Sequence, residues 1–388
     1  MKPLPFTDAD RSLLVALRRD LHRHPELAWK ETVTQARLER ALRDVGATDI
    51  RRVATTGLVA RIPGVDRKVP TVAIRGDIDA LPITEATGLD FASQSPGVMH
   101  ACGHDIHASW ALGAALLLAR RPAGGDVTIV LQPAEEIGEG ALAILESGAL
   151  SGVTTIFGAH VDRRFAVGEV VAQAGPLAAG ADTFAIALKG RGAHGARPQQ
   201  SADPVVGAAE LIMAIQTIVS RRLDPALPGV VTVAAVHGGL APNVIPDVVE
   251  LAGTIRATTR AARDLIVSEL ERITHAVAAV HRLTAVVDVS DGTPPLENTV
   301  DAAACAAAAV RDALGDGALM PLGTTNMGAE DFACYLGAMS GCFLRIGARE
   351  AGGEYHDAHT STFVPAEEAL FVGAAVLAQC AREASRSR

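Results

Sequence analysis

The 388 residues predict an α/β protein in two parts. The larger is a mixed, mainly parallel sheet flanked by helices around a metal-centred cleft, and the smaller is an inserted ferredoxin-like βαββαβ unit. Two observations carry this. Three short apolar runs, at 69–75, 126–131 and 154–159, alternate with helical segments, and each delivers polar, metal-binding residue types at its carboxyl end, where open α/β sheets gather their functional groups. Near Ala181 the pattern changes to strand, helix, strand, strand, helix, strand, and α/β texture resumes afterwards. The length exceeds the roughly 250–300 residues at which one core stops growing, and the expected domains are 1–179 with 293–388, and 180–292.

The first segment, 8–24, places Leu13, Leu14, Leu17 and Leu21 at helical spacing and stops at Pro25, with His22 and His24 read as solvated or capping. A second helix, 32–45, ends at Gly46. The first strand delivers Asp77 and Asp79, which share a face by the i, i+2 rule. Met99 to His107 is the densest chemical stretch, with three histidines, a cysteine and an aspartate in nine residues. In an extended chain Cys102 and His104 present a thiolate and an imidazole to one point, with Asp105 available to orient a ligand. These are two donors where a metal site needs three or four, so a small buried cysteine is the better reading until others are found. A helix follows over 108–120.

The others come at the next strand ends. The second strand runs into Glu135 and Glu136; extended neighbours point to opposite sides, which separates a ligand from a base. The third ends at His160. In the inserted unit, strand 183–188 precedes a Gly-rich loop carrying His194, Asp203-Pro204 opens a helix to Arg221, and strands 230–236 and 248–256 are joined by a loop carrying Asn243. Helix 260–280 and strand 284–289 complete it. The last part has a helix from Asn298 as N-cap to Leu314, a strand over 342–346, a Gly-rich segment with His356 and His359, and a final helix over 366–381.

A net charge of −9 with scattered Lys and Arg argues against nucleic acid or an anionic membrane as partner. The five cysteines, 102, 305, 334, 342 and 380, form no disulfide framework, and the expected compartment is reducing and cytoplasmic. The first twenty residues lack the apolar core of a signal peptide, and Gly or charge interrupts every long apolar run.

His100-Ala-Cys-Gly-His-Asp, Gln132-Pro-Ala-Glu-Glu, Gly158-Ala-His-Val, Gly192-Ala-His, Ala241-Pro-Asn-Val-Ile-Pro-Asp and Glu330-Asp-Phe resemble, in order and spacing, the M20 metallopeptidases. The likeness is greatest to the amidohydrolase branch with hippurate, N-acyl-amino-acid and auxin-conjugate hydrolases. The resemblance implies a two-metal centre held by Cys102, His104, Glu136, His160 and His359, with Glu135 as general base. Asp79, read from its place after the first strand, could hold a metal or its histidine ligand, a plain turn being an equal reading, and the donor types admit Zn, Mn, Co or Ni. The resemblance further implies an inserted lid that forms a homodimer and brings His194, Asn243 and Arg256 to a small N-acyl amino acid or peptide. Two departures stand out: Ala358-His359-Thr360-Ser361 replaces Leu-His-Asn/Ser-Pro, with His356 as rival ligand, and Asp162-Arg163-Arg164 replaces a proline after the third strand. The rivals are a cysteine hydrolase using Cys102 as nucleophile, which needs neither the Glu pair nor His160, and a non-catalytic metal-binding relative.

Overall fold

The computed structural model describes residues 2–350, 352–353 and 356–386. They form two compact units, Met1–Gly175 with Asn298–Gly323 and Cys334–Arg388, and Pro176–Glu297 with Thr324–Ala333.

The first unit is built on a seven-stranded sheet. Its strands β1 (Thr48–Val53), β2 (Gly57–Ile62), β3 (Thr71–Asp77), β4 (Val127–Gln132) and β5 (Val153–Ala166) are joined by Ser340–Arg349 and the short Val170–Val171. The order is β1, β2, β4, β3, β5, 340–349, 170–171. Its centre is parallel, β4 with β3, β3 with β5, and β5 with 340–349, and its margins are antiparallel. Three helices matter for the site: α1 (Asp8–Arg23), α2 (Thr32–Asp44) and α3 (His104–Arg120).

Every residue of α3 from His104 to Leu118 is buried, as its all-round apolar sequence requires. The final helix, Ala369–Ala384, crosses it closely: a Cβ on Gly113 would stand 2.8 Å from that of Ala374, and one on Gly373 would stand 2.2 Å from Trp110. This packing holds the amino end of α3 rigidly at the carboxyl ends of the central strands.

The second unit is the expected βαββαβ fold, with strands Gly180–Lys189, Gly229–Gly238, Val248–Ala257 and Thr284–Val289. In chain order they lie 4-1-3-2 across the sheet, all antiparallel. Alternation buries Phe184, Ile186 and Leu188 under two helices, where Leu211, Ile215, Ile266 and Leu270 meet them. The first of these helices, Pro204–Thr217, is opened by Asp203, whose side chain accepts from the Val205 and Val206 amides. Pro204–Arg222 is long and apolar enough to span a bilayer by length and composition alone. Its Leu211, Ile215 and Ile218 face are core residues of this unit.

Three local expectations are corrected. Helix α3 begins at His104 instead of residue 108, so Cys102 and His104 are not consecutive same-side residues of a strand. Gly103, at φ 94°, turns the chain between them, and a Cβ there would approach Val161 Cγ2 to 2.6 Å. Glu135 and Glu136 lie in a turn, not an extended segment. Finally, β5 continues to Ala166 because 340–349 pairs alongside it; His160 is inside the strand, opposite Arg345, and not at its terminus.

Candidate active site

The first unit brings Cys102, His104, Glu135, Glu136, His160 and His359 together. The Cys102, His104 and His160 donor atoms lie within 4.8 Å of one another, as do those of Cys102, Glu136 and His359, and those of His104, Glu135 and Glu136.

Hydrogen bonds on the far side of each ring set which nitrogen faces inward. His104 Nδ1 donates to the Asp79 carbonyl oxygen at 2.9 Å and lies 3.2 Å from its Oδ1, so Nε2 carries the free lone pair. His160 Nδ1 donates to the Val161 carbonyl at 2.7 Å, leaving Nε2 to meet Cys102 Sγ at 3.2 Å. His107 differs: Nδ1 bonds Asp77 at 2.7 Å and Nε2 accepts the Val161 amide at 3.1 Å, which leaves no lone pair for a cation. Its ring stacks on Trp110 at 4.5 Å, and it acts as a prop between strands.

Two buried atoms at the centre, His104 Nε2 and Glu136 Oε1, have no hydrogen-bond partner among the described residues. Leaving such groups unpaired costs about 1–3 kcal/mol each. A soft thiolate, imidazoles and a carboxylate with unspent lone pairs are the donor set of a divalent transition-metal site, so these residues fit a metal ion.

Burial and the neighbouring charges favour the protonated forms of three of these donors. Burial, reinforced by Glu136, pushes the Cys102 thiol well above its ordinary range, opposite to a free nucleophilic cysteine. Burial alone would lower His104, but Asp77 and Asp79 outweigh it and hold its pKa well up. Burial also raises Glu136, against the pull of His104 and His359. A bound cation reverses this balance and makes ligands of all three.

Asp79 ties the site together. Fully buried, it holds His104 with one oxygen while Oδ2 accepts the Glu136 amide at 3.0 Å. Glu135 Oε2 stands 3.8 Å from His104 Nε2. His359, at φ 65°, points Nε2 to within 3.4 Å of Glu136 Oε2, its amide donating to the Ala101 carbonyl at 2.8 Å; His356 is in no such donor group among the described residues.

In the second unit His194 and Asn243 are neighbours. Val244 pairs with His194, and the Gly195 amide donates to the Asn243 carbonyl at 2.8 Å. Arg256 does not join them. It lies at the far end of strand Val248–Ala257, and eight residue steps at about 3.3 Å put Val248 and Arg256 roughly 26 Å apart.

Sequence reasoning missed the support beneath the ligands. His22, expected at the surface, is buried with Nδ1 2.8 Å from Asp105 and Nε2 3.2 Å from Glu85, while Arg18 reaches the same Asp105 oxygen at 2.8 Å. Glu31 is also buried and bonded toward the Glu135 turn. A helical face containing Arg18 and His22 beside leucines was the one available signal. Nothing local marks Glu31.

Fold and cluster together define a class: an α/β protein whose Cys, His and carboxylate donors converge beside the Glu135 carboxylate, the composition of a hydrolytic centre. The chain belongs to peptidase family M20/M25/M40, which it matches over residues 73–383. It is 38% identical over 372 residues, 95% of this chain and 87% of the relative, to an N-acetyl-L-cysteine deacetylase of Bacillus subtilis. It is 37% identical to an IAA-amino acid hydrolase of Arabidopsis thaliana, covering 95% and 84% of the two chains. Among solved structures, the Bacillus subtilis YXEP protein, described as a dinuclear metal-binding peptidase of the M20 family, superposes with a TM-score of 0.85 at 34% identity over 97% of this chain and 98% of that one. The protein is accordingly a hydrolase acting on amide C–N bonds.

Proposed function

We propose that the protein is a metal-dependent amidohydrolase that releases the amino acid from N-acyl amino acids. The carrying observation is the convergence of His104 Nε2 and Glu136 Oε1, buried and unpartnered, with Cys102 and His160 on one side and Glu135 on the other. Two relatives named for N-acyl amino acid substrates support the substrate class.

Cys102, His104, Glu136, His160 and His359 would hold two divalent ions (Zn, Mn, Co or Ni), the two donor trios sharing Cys102. Such ions polarise an acyl carbonyl and make water acidic enough to attack at neutral pH. Glu135 takes the proton of the attacking water and returns it to the leaving amine, a transfer typically worth 10²–10⁴-fold. Asp79 fixes the His104 tautomer and the Glu136 amide. His194 stabilises the oxyanion, and Asn243 and Arg256 bind the substrate carboxylate.

The separation of Arg256 from His194 and Asn243 supports a homodimer in which one copy's Arg256 and the other's His194 serve the same substrate. The exposed, uncharged side chains Val206 and Met213 on the helix of the second unit support self-association there. No partner other than a small molecule and a second copy is proposed, and the working compartment is the cytoplasm. The pertinent experiment is amine release from a panel of N-acetyl and N-benzoyl amino acids and dipeptides. Preference for the N-acyl amino acids supports this reading; preference for dipeptides replaces it with a peptidase.

A further inference from the structure

We propose that Glu31 is the positioning residue of the catalytic turn: its buried carboxylate holds Ala134 in the left-handed conformation that aims Glu135. This rests on the reading of Glu135 as base and adds the device that places it.

Ala134 directly precedes Glu135 and has φ 53°, a region an L-residue adopts only when its surroundings hold it there. It is fully buried, so no solvent reaches the strained peptide. Its carbonyl accepts the Glu139 and Gly140 amides at 3.3 and 3.1 Å, and a Cβ on Gly140 would fall 1.7 Å from the Pro133 oxygen. The turn is thus closed tightly on its carbonyl side. Beyond Glu135, the Glu136 amide is held by Asp79 at 3.0 Å. The amide of Ala134 itself donates to Glu31 Oε1 at 3.0 Å, while Glu31 Oε2 accepts the Thr56 hydroxyl at 2.6 Å.

Glu31 occupies the N-cap position of α2, where a short polar side chain ordinarily caps the helix, yet its side chain makes no cap bond. Both of its oxygens are committed to the turn and to Thr56. With Asp79 on one flank and Glu31 on the other, the two ends of Ala134-Glu135-Glu136 are pinned independently. Glu31 governs the end that carries the base, and Asp79 the end that carries the ligand.

The test compares Glu31→Ala, Glu31→Gln and Glu31→Ala combined with Ala134→Gly. The readouts are amide hydrogen exchange over residues 132–138, metal content, and kcat and KM on the best N-acyl substrate. Glu31→Ala should speed exchange at Ala134 and lower kcat roughly 10²-fold, the cost of a misplaced reacting group, with metal content and KM near parental. Gln keeps an acceptor for the amide, and the Thr56 hydroxyl can reverse its bond, so Glu31→Gln should recover to within about threefold. Glycine takes the left-handed turn unaided, so Ala134→Gly should relieve most of the Glu31→Ala loss in kcat. Parental exchange over 132–138 in Glu31→Ala, or a kcat loss that neither Gln nor Ala134→Gly relieves, would overturn the assignment. If Glu31→Ala does not fold, Thr56→Val takes its place, and unchanged exchange there has the same force. Exchange does not depend on turnover; full activity in Glu135→Gln would sink the base reading and leave the exchange result standing.

Discussion

His104 Nε2 and Glu136 Oε1 lie 3.7 Å apart, both buried, and neither has a hydrogen-bond partner among the described residues. Asp79 creates this pairing by bonding the other side of each residue, the His104 Nδ1 and the Glu136 amide. Two polar atoms are thereby left facing each other at the centre of the donor cluster, which makes metal content the most informative property to perturb.

His359 and His356 should separate on that measure. His359→Ala removes a donor 3.4 Å from Glu136 and should lower metal affinity at least tenfold, in the range of losses seen for metal-site substitutions. His356→Ala should leave affinity within about twofold of the parent. Metal titration of the two variants decides it; the opposite ranking would transfer the ligand to His356.

Mixing two inactive variants tests the shared site. His194→Ala keeps Glu135, and Glu135→Gln keeps His194. Losing an oxyanion donor costs about 10²–10³-fold and losing the base about 10²–10⁴-fold. If sites are completed between copies, unfolding and refolding the variants together restores one competent site per mixed dimer. Activity no higher than the average of the two variants would return His194 to its own chain.

The support beneath the ligands carries a pH signature. Burial alone would raise Glu85, but bonds from His22, Thr87 and the Ser93 amide outweigh it and lower its pKa from 4.5 to about 2. A depressed carboxylate stabilises the fold above its ordinary pKa, and that contribution drains away as the pH falls from 4.5 toward about 2. Glu85→Gln should therefore melt below the parent at neutral pH, by roughly 1 °C per kcal/mol for a chain of this length. The gap should close across that acid window. A gap constant from pH 7 to pH 3 would mean that the charge of Glu85 is not what stabilises.

Much of this was legible in the sequence, and the limits have physical causes. The density of His and Cys over 99–107 pointed to Cys102 and His104, and the apolar strands pointed to Glu135, Glu136 and His160; the structure brings these donors close together, with His160 inside its strand and not at its end. The local geometry was misread where it depends on φ. Gly103 at 94° and Ala134 at 53° turn the chain in ways that alternation rules for strands do not anticipate. His22, marked only by its place with Arg18 beside leucines, and Glu31, marked by nothing local, were missed for another reason. Each lies far along the chain from its partner, Asp105 for the one and Ala134 for the other, and burial of a charged group becomes visible only when that partner is in place.

The most direct measurement is amine release from an N-acyl amino acid by the parent and by Glu135→Gln, each assayed as prepared, after chelation, and after metal add-back, with bound metal quantified. The parent should lose turnover on chelation and regain it with a divalent metal. Glu135→Gln should bind the same metal and remain slower than the parent by about 10²–10⁴-fold both as prepared and after metal add-back. Parent turnover indifferent to chelation, or Glu135→Gln as fast as the parent with metal restored, would contradict the account.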